Sequence, residues 1–400
     1  MRVLLVVNQD AWAIGTLARF LALGVPEGWD VTIANLWNAA KDPESFHRLV
    51  DAADIVHWML HRTVLEPPAW NARAINVCSV HHVEPYETTF DYLSRCQGIV
   101  VHARQYRALL ESRGVDPSRI ACIPQPVDEA FFEAGRRRLE DHRPRRRDAS
   151  WRVGFFSTAE YGLDRKGIDL LPEVLRSRAG SNVTLVVTGF KWRDTLARPD
   201  FAGLPITVRL APSYFDMPGL YATLDAYLCL SRIEGGPMPV FEAAACGVPV
   251  ISTAVGRIPE VLVPNESYVD VPIANGLAAS DALQLLDRDP DRLRRHARRA
   301  YDAVATSLAV RDYQARHYEF YGKLVGLAYT GPRLGRDAIA RATRRWRAAD
   351  SINSAKRLWT GSQRGRAVAL ALRGLRLDPG SDAFWGAIRA RLPWPGRSPT

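Results

Sequence analysis

The strongest constraint on this chain is a rhythm that occurs twice along it: short apolar runs separated by segments with helical spacing. The first series is RVLLVV (2–7), DVTIANL (30–36), ADIVHWML (53–60), AINVCSV (74–80) and GIVVHA (98–103). The second is WRVGFFS (151–157), NVTLVVTG (182–189), PITVRLA (205–211), DAYLCLS (225–231) and PVISTAV (249–255). Between the runs lie helical patterns, such as Thr16–Leu23 and the i, i+3, i+4 set Tyr106, Leu109 and Leu110. Continuous apolar strands alternating with helices predict parallel sheets covered on both faces. A chain of 400 residues is long enough for two such domains. The expected class is therefore α/β, with two Rossmann-like doubly wound domains facing across a cleft. Ligands in such sheets bind beyond the carboxyl ends of the strands.

The expected boundaries are an N-terminal domain over 1–148, a second over 149–310, a closing amphipathic helix over 311–330 and a basic helical tail over 331–400. The polar run GRRRLEDHRPRRRDAS (135–150), with Pro144, predicts the linker. In the tail, helical patterns are expected at 336–349 and 366–376, and the pair on either side of the turn Leu377-Asp378-Pro379-Gly380, the second being SDAFWGAIRARL, predicts a helical hairpin. Charge is concentrated there. Residues 331–400 hold 15 Lys or Arg against 4 Asp or Glu, a net of +11, so the rest carries −1 of the total +10. Bulk charge thus gives the main body no case for nucleic-acid binding. The tail's arginines alternate with Leu334, Ile339, Trp346, Leu358 and Trp359, a pattern suited to a membrane surface or to a solvated appendage. The five cysteines are odd in number and form no CxxC pair, so reduced thiols in a cytoplasmic protein are expected. The first apolar run is too short for a signal peptide, and no uncharged run of about 18 residues is present to span a membrane.

The stretch that carries chemistry is SRIEGGPMPVFEAAACGVPVISTAVGRIPE (231–260). A buried strand ends at a turn, Glu234-Gly235-Gly236. Pro237 suits the start of a helix, which Gly247 and Pro249 stop, and a second strand follows. Glu234 thus stands at a strand's carboxyl end and Glu242 early in the following helix. The free amides of that helix start favour anions and polar oxygens. Two carboxylates beside a positive helix end suit a ligand with sugar hydroxyls and a diphosphate; the same pair could equally cap the helix or lie on the surface.

This stretch resembles the donor-site signature of the family 4 glycosyltransferases, which have the GT-B fold and retain configuration. The likeness rests on Glu234, Gly235, Glu242, Ala243, Gly247, Pro249, Val250, Gly256 and Glu260. It extends outward through YFDMPGLYATLDAYLCLS (214–231) and RIACIPQPVDEAFF (119–132), and covers about residues 1–325. The resemblance implies a nucleotide diphosphate-sugar donor and a glycan or lipid-linked acceptor. It implies that Glu234 contacts the transferred sugar, that Glu242 holds the ribose, and that the amides of Gly235, Gly236, Pro237 and Met238 line the donor pocket. Lys166-Gly167 fits the family's phosphate anchor. The preceding Gly-Arg-Leu is replaced by Gly154-Phe155-Phe156, so Arg165 is expected to supply the second cation, or Ser157 and Thr158 neutral contacts. No metal-ligand cluster or Asp-x-Asp is evident, so these cations and the helix amides are expected to stabilise the departing diphosphate without a metal or other cofactor.

In the first domain the resemblance places a histidine after AINVCSV. Both His81 and His82 stand there; His81 fits the spacing better, and the sequence leaves open which one faces the cleft. Retention in this family is viewed as a same-face displacement without a protein nucleophile, so this histidine is read as positioning or acceptor-side. The loop after the first strand, NQDAWAIGT, has only Gly15 where family members pair glycines; Trp12 is a candidate stacking residue. Gly189 follows NVTLVVT near the expected nucleobase, with Lys191 and Arg193 beyond it. The expected setting is cell-surface polysaccharide or glycolipid synthesis at the cytoplasmic membrane face. The alternatives are an inactive GT-B protein that still binds nucleotide-sugar and, against the absence of GxGxxG, a dehydrogenase.

Overall fold

The computed structural model describes residues 1–8, 13–84, 87, 89–141, 150–159, 163–177, 183–209, 213–327, 364–378 and five residues within 344–351. Two parallel six-stranded sheets organise it. The first contains β1 (Arg2–Val7), β2 (Asp30–Asn35), β3 (Ile55–Trp58), β4 (Ile75–Val80), β5 (Gly98–Val101) and β6 (Ile120–Cys122), in the order β2-β1-β3-β4-β5-β6. The second contains β7 (Trp151–Phe156), β8 (Val183–Thr188), β9 (Ile206–Val208), β10 (Ala226–Cys229), β11 (Val250–Ser252) and β12 (Val269–Asp270), in the order β12-β11-β10-β7-β8-β9. Both are doubly wound. Their central strands are buried on both faces, as continuous apolar runs require: Val77, Cys78, Ile99 and Val100 in one, Val153, Leu185, Leu228 and Ile251 in the other.

Helices cover the faces: α1 (Ala13–Leu23), α2 (Pro43–Ala52) and α3 (Arg104–Ser112) on the first sheet, and α4 (Glu129–Glu140), α5 (Leu171–Arg176), α6 (Met238–Ala245), α7 (Gly276–Arg288) and α8 (Pro290–Ser307) on the second, where α4 packs against α6 and α8. Asp42 caps α2 through the Ser45 amide and Asp128 caps α4 through the Ala130 amide, each filling a free donor at a helix start. The basic run expected as linker begins as helix: α4 continues through Gly135 to Glu140. Phe131, Phe132 and Gly135 keep a buried stripe at helical spacing, and Arg137 and Arg138 favour the negative helix end. The remainder of that run, 142–149, lies outside the described residues.

The closing helix α9 (Val310–Val325) returns to the first sheet's domain. Tyr318 Oη donates to the Leu21 carbonyl at 2.7 Å, Gln314 Nε2 to the Phe20 carbonyl at 2.7 Å, and Tyr321 Oη meets His57 Nδ1 at 2.5 Å. These contacts account for the aromatics at helical spacing in that segment.

A second compact unit joins 209–217 to residues of 334–400. Within it Ser213 and the Tyr214 amide donate to Asp350, Tyr214 stacks on Trp346 with centroids 5.9 Å apart, and Arg373 pairs with Asp216. Its helix α10 (Arg364–Leu377) buries Ala367 and Leu370 and exposes Val368 (44%) and Leu372 (50%). The hairpin expected beyond Asp378 lies outside the described residues. Among the described residues, no helix is long and apolar enough to cross a membrane.

Candidate functional site

The sequence folds locally as the motif requires. Strand β10 ends at Cys229, and α6 begins at Met238 after Pro237. The two carboxylates are both inside the protein: Glu234 is 7% exposed and Glu242 5%. Neither is a surface residue, and neither caps α6, whose N-terminal residue Pro237 makes no side-chain cap.

Glu234 is the centre of a charged cluster. Lys166 Nζ donates to its Oε1, Ser231 Oγ donates to the same oxygen at 3.1 Å, and Arg165 Nη1 stands 3.7 Å away. Burial works to raise the Glu234 carboxyl, but Lys166 and Arg165 outweigh it and hold it below its usual value. Arg165 also donates to the Ile233 carbonyl at 3.3 Å and lies 3.5 Å from Glu84 of the first domain. Both expected phosphate cations therefore converge on the carboxyl end of β10.

Glu242 is in different surroundings. Tyr221 Oη donates to its Oε2 at 2.9 Å. Burial lifts its carboxyl to about 7, the Tyr221 hydrogen bond restrains the rise, and nearby Asp128 adds to it. Two carboxylates in one site thus hold different charge at neutral pH, one ionised by paired cations and one poised near half-ionisation.

Gly235 is a close-approach position. A Cβ there would lie 1.4 Å from the His81 carbonyl oxygen, so only glycine lets the turn after β10 meet the first domain. Gly236 faces Gln125. His81 itself is turned inward: Nε2 meets the Met59 carbonyl at 2.8 Å, and Nδ1 meets Gln125 Nε2 at 3.0 Å. The amide can only donate, so Nδ1 accepts and Nε2 carries the proton. Burial pushes this ring down to about 4, leaving it neutral. It is His82, not the better-spaced His81, that stands beside Arg165 and Glu234; burial and Arg165 push it to about 3, and its Nε2 meets Glu84 Oε1 at 3.1 Å.

Other expected residues are more remote. Gly189 (φ +128) ends β8 against the Ser157 carbonyl, Lys191 and Arg193 are exposed at the next short helix, and Gly15 is buried inside the first turn of α1. Trp12 lies outside the described residues. Sequence reasoning passed over Glu84, Ser231, Tyr221, Tyr106 and Arg257. Glu84 follows the histidine pair by two positions, the one signal that pointed to it; the rest are brought in by tertiary packing.

The space within the charged cluster is a cavity of about 20 Å³ lined by Phe155, Phe156, Lys166, Ser231, Glu234 and Pro237 among others. Ligand sites usually run to about 300 Å³ or more, so an occupant has to displace the Lys166–Glu234 pair. A larger groove, about 950 Å³, lies elsewhere, lined by Arg137, Arg138, Arg294, Arg298, Trp151 and Pro249 among others. It sits at the amino ends of β7 and β11, at the far end of α6 from Glu234; of the motif it is lined by Gly247 and Pro249, and not by Glu234, Glu242 or the turn between them.

Residues 158–303 match the model of the family described as glycosyl transferases group 1. The chain is 33% identical over 105 residues to the N-acetyl-alpha-D-glucosaminyl L-malate synthase of Bacillus anthracis, covering 25% of this chain and 27% of that protein. It is 28% identical over 215 residues to the D-inositol 3-phosphate glycosyltransferase of Kineococcus radiotolerans, covering 46% and 48%. The chain therefore spans less than half the length of these curated relatives. In structure it is similar to Anabaena Alr3699/HepE in complex with UDP and glucose, with TM-score 0.63 at 14% identity over 81% of this chain and 100% of that one. It is similar also to sucrose-phosphate synthase from Thermosynechococcus elongatus, with TM-score 0.63 at 15% identity over 82% and 99%. At those identities the likeness establishes the fold, two Rossmann-like domains of the GT-B type. On that fold, residues 158–303 carry the likeness to the glycosyl transferases group 1.

Proposed function

We propose that this chain is a retaining glycosyltransferase that takes a sugar from a nucleotide diphosphate-sugar and passes it to a glycan or lipid-linked acceptor, in cell-surface polysaccharide or glycolipid synthesis. The observation that carries the reading is the cluster at the end of β10: Lys166 and Arg165 gathered on buried Glu234, with buried Glu242 early in the helix that follows. The HepE structures, in complex with UDP and with UDP-glucose, support a nucleotide diphosphate donor on this fold.

In this reading the diphosphate takes Lys166 and Arg165 from Glu234. The freed carboxylate then accepts hydroxyls of the sugar, and Glu242 accepts those of the ribose. The bond between the sugar's anomeric carbon and the diphosphate breaks, and its electron pair leaves with the nucleoside diphosphate. An acceptor hydroxyl forms the new bond on the same face, and its proton passes to the departing phosphate oxygen. Lys166, Arg165 and the start of α6 stabilise the charge that develops there, so the protein's own cations serve in place of a metal. His82, neutral and held by Glu84, stands on the acceptor side.

The peripheral-membrane part of the proposal rests on the tail's net charge of +11 and on α10, where exposed Val368 and Leu372 lie one turn apart near Arg373 and Arg376. Such a face fits an anionic bilayer surface on the cytoplasmic side. Flotation with phosphatidylglycerol vesicles tests it: the parent chain floats, and the double change Val368→Asp, Leu372→Asp does not. Equal flotation of both removes this surface.

The donor is tested by thermal shift with UDP, GDP, ADP and their glucose esters, together with release of the nucleoside diphosphate. A donor at about 100 times its Kd adds about 2.7 kcal/mol. Stabilisation with turnover supports the transferase. Stabilisation without turnover against any acceptor supports the inactive binding protein, and no shift with any nucleotide removes both.

A further inference from the structure

The donor loop is gripped from the first domain as well as from its own. Tyr106 Oη, in the first turn of α3, donates to the Glu234 carbonyl oxygen at 2.8 Å, and Gln105 Nε2 reaches the same oxygen at 3.3 Å. The Gly235 Cα rests on the His81 carbonyl. From the other side, the Arg257 amide donates to the Gly235 carbonyl at 2.8 Å, and a Cβ at Gly256 would lie 2.6 Å from the carbonyl oxygens of both Glu234 and Gly235. The same turn is fastened to α3. Glu260 Oε1 accepts the Arg104 amide at 2.6 Å, a negative charge on the positive end of a helix from the other domain, and Arg257 Nε donates to the His102 carbonyl. The peptide joining Glu234 to Gly235 is therefore sandwiched, and one of its two walls belongs to the first domain. Glu242 is held differently, by Tyr221 of the second domain.

We propose that Tyr106 is a positioning residue for Glu234, so that recognition of the sugar portion of the donor depends on the first domain while recognition of the nucleotide portion does not. The proposal rests on the donor reading above. When α3 is seated, Tyr106 fixes the main chain of Glu234 and thereby the direction of its carboxylate. When α3 withdraws, the second domain keeps Glu242 and its helix start but loses the aim of Glu234. The arrangement makes the sugar contact conditional on closure, which limits reaction of the donor with water before an acceptor is enclosed.

The test is Tyr106→Phe in the full chain, which removes one hydroxyl and keeps the ring. Calorimetry gives the Kd of the nucleoside diphosphate selected by the thermal-shift panel and of its glucose ester; kinetics give kcat and KM. The expected result is a Kd for the nucleoside diphosphate within about twofold of the parent, with kcat and the preference for the glucose ester each reduced about 3–10-fold, the range for one lost neutral hydrogen bond. Gln105→Ala, which removes the longer contact, gives a smaller change in the same direction. Parent-like kcat and preference overturn the proposal, as does an equal loss for both ligands, the mark of a purely structural tyrosine. A parent chain that binds no nucleotide instead overturns the donor reading itself, an outcome visible before any variant is made.

Discussion

Raising the pH from about 6 to about 8 is expected to tighten binding of a nucleotide diphosphate-sugar about tenfold, because Glu242 ionises across that range. Its carboxyl, lifted by burial, stands at about 7. With that value the carboxylate fraction is about one in eleven at pH 6 and about ten in eleven at pH 8. Ribose hydroxyls donate best to the charged form, so affinity follows the fraction. The diphosphate of the donor is esterified at both ends and does not titrate here, and His81 and His82, at about 4 and about 3, lie well below the window. Calorimetry at several pH values is the assay. Tyr221→Phe removes the hydrogen bond that restrains the rise and moves the midpoint upward. The same group makes a stability prediction. Its folded value is above the unfolded value of 4.5, so its contribution is fully present below 4.5 and is lost as pH rises through about 7. The loss amounts to about 3 kcal/mol, and Glu242→Gln recovers much of it at pH 8 while weakening the nucleotide. A donor affinity flat from pH 6 to 8, with Glu242→Gln binding as the parent does, would refute the reasoning.

Three further outcomes are expected. Lys166→Ala lowers kcat about 100-fold, more than it weakens donor binding, because the charge it meets grows as the bond breaks; equal activity of variant and parent removes the assignment. Gly235→Ala, whose Cβ would meet the His81 carbonyl at 1.4 Å, forces the donor loop off the first domain and abolishes turnover, as steady-state assays check; parent-like turnover contradicts the close approach. Burial holds His57, His81, His102 and His317 below 6.5, so the folded state keeps them neutral while the unfolded state takes protons. Their contribution is present above about 6.5 and is lost as pH falls toward about 4, so urea midpoints are expected to drop over that window.

The strand–helix rhythm carried most of the fold because buried parallel strands must be apolar on both faces, and that signal is local. Strands β6 and β12 were not legible, being three and two residues long and lying at sheet edges with one neighbour each. The arginine run misled at Gly135–Glu140, where charge on an exposed helix face looks like a linker. In the site, Glu234, Glu242, Lys166 and Arg165 were legible because turn, helix start and anchor each leave a short motif. Which of the two histidines stands beside the charged cluster is set by packing, since adjacent residues after a strand point to opposite sides. Tyr106, Arg257 and Tyr221 left no signal, because their partners lie 128, 155 and 21 residues away in the chain.

The most direct measurement is a crystal structure of the chain grown with the nucleotide diphosphate-sugar that stabilises it. The account predicts the diphosphate against Lys166 and Arg165, with ribose hydroxyls on Glu242 and the sugar on Glu234, the Lys166–Glu234 pair having opened. Ligand seated instead in the arginine-lined groove at the amino ends of β7 and β11, with that pair intact, would contradict it.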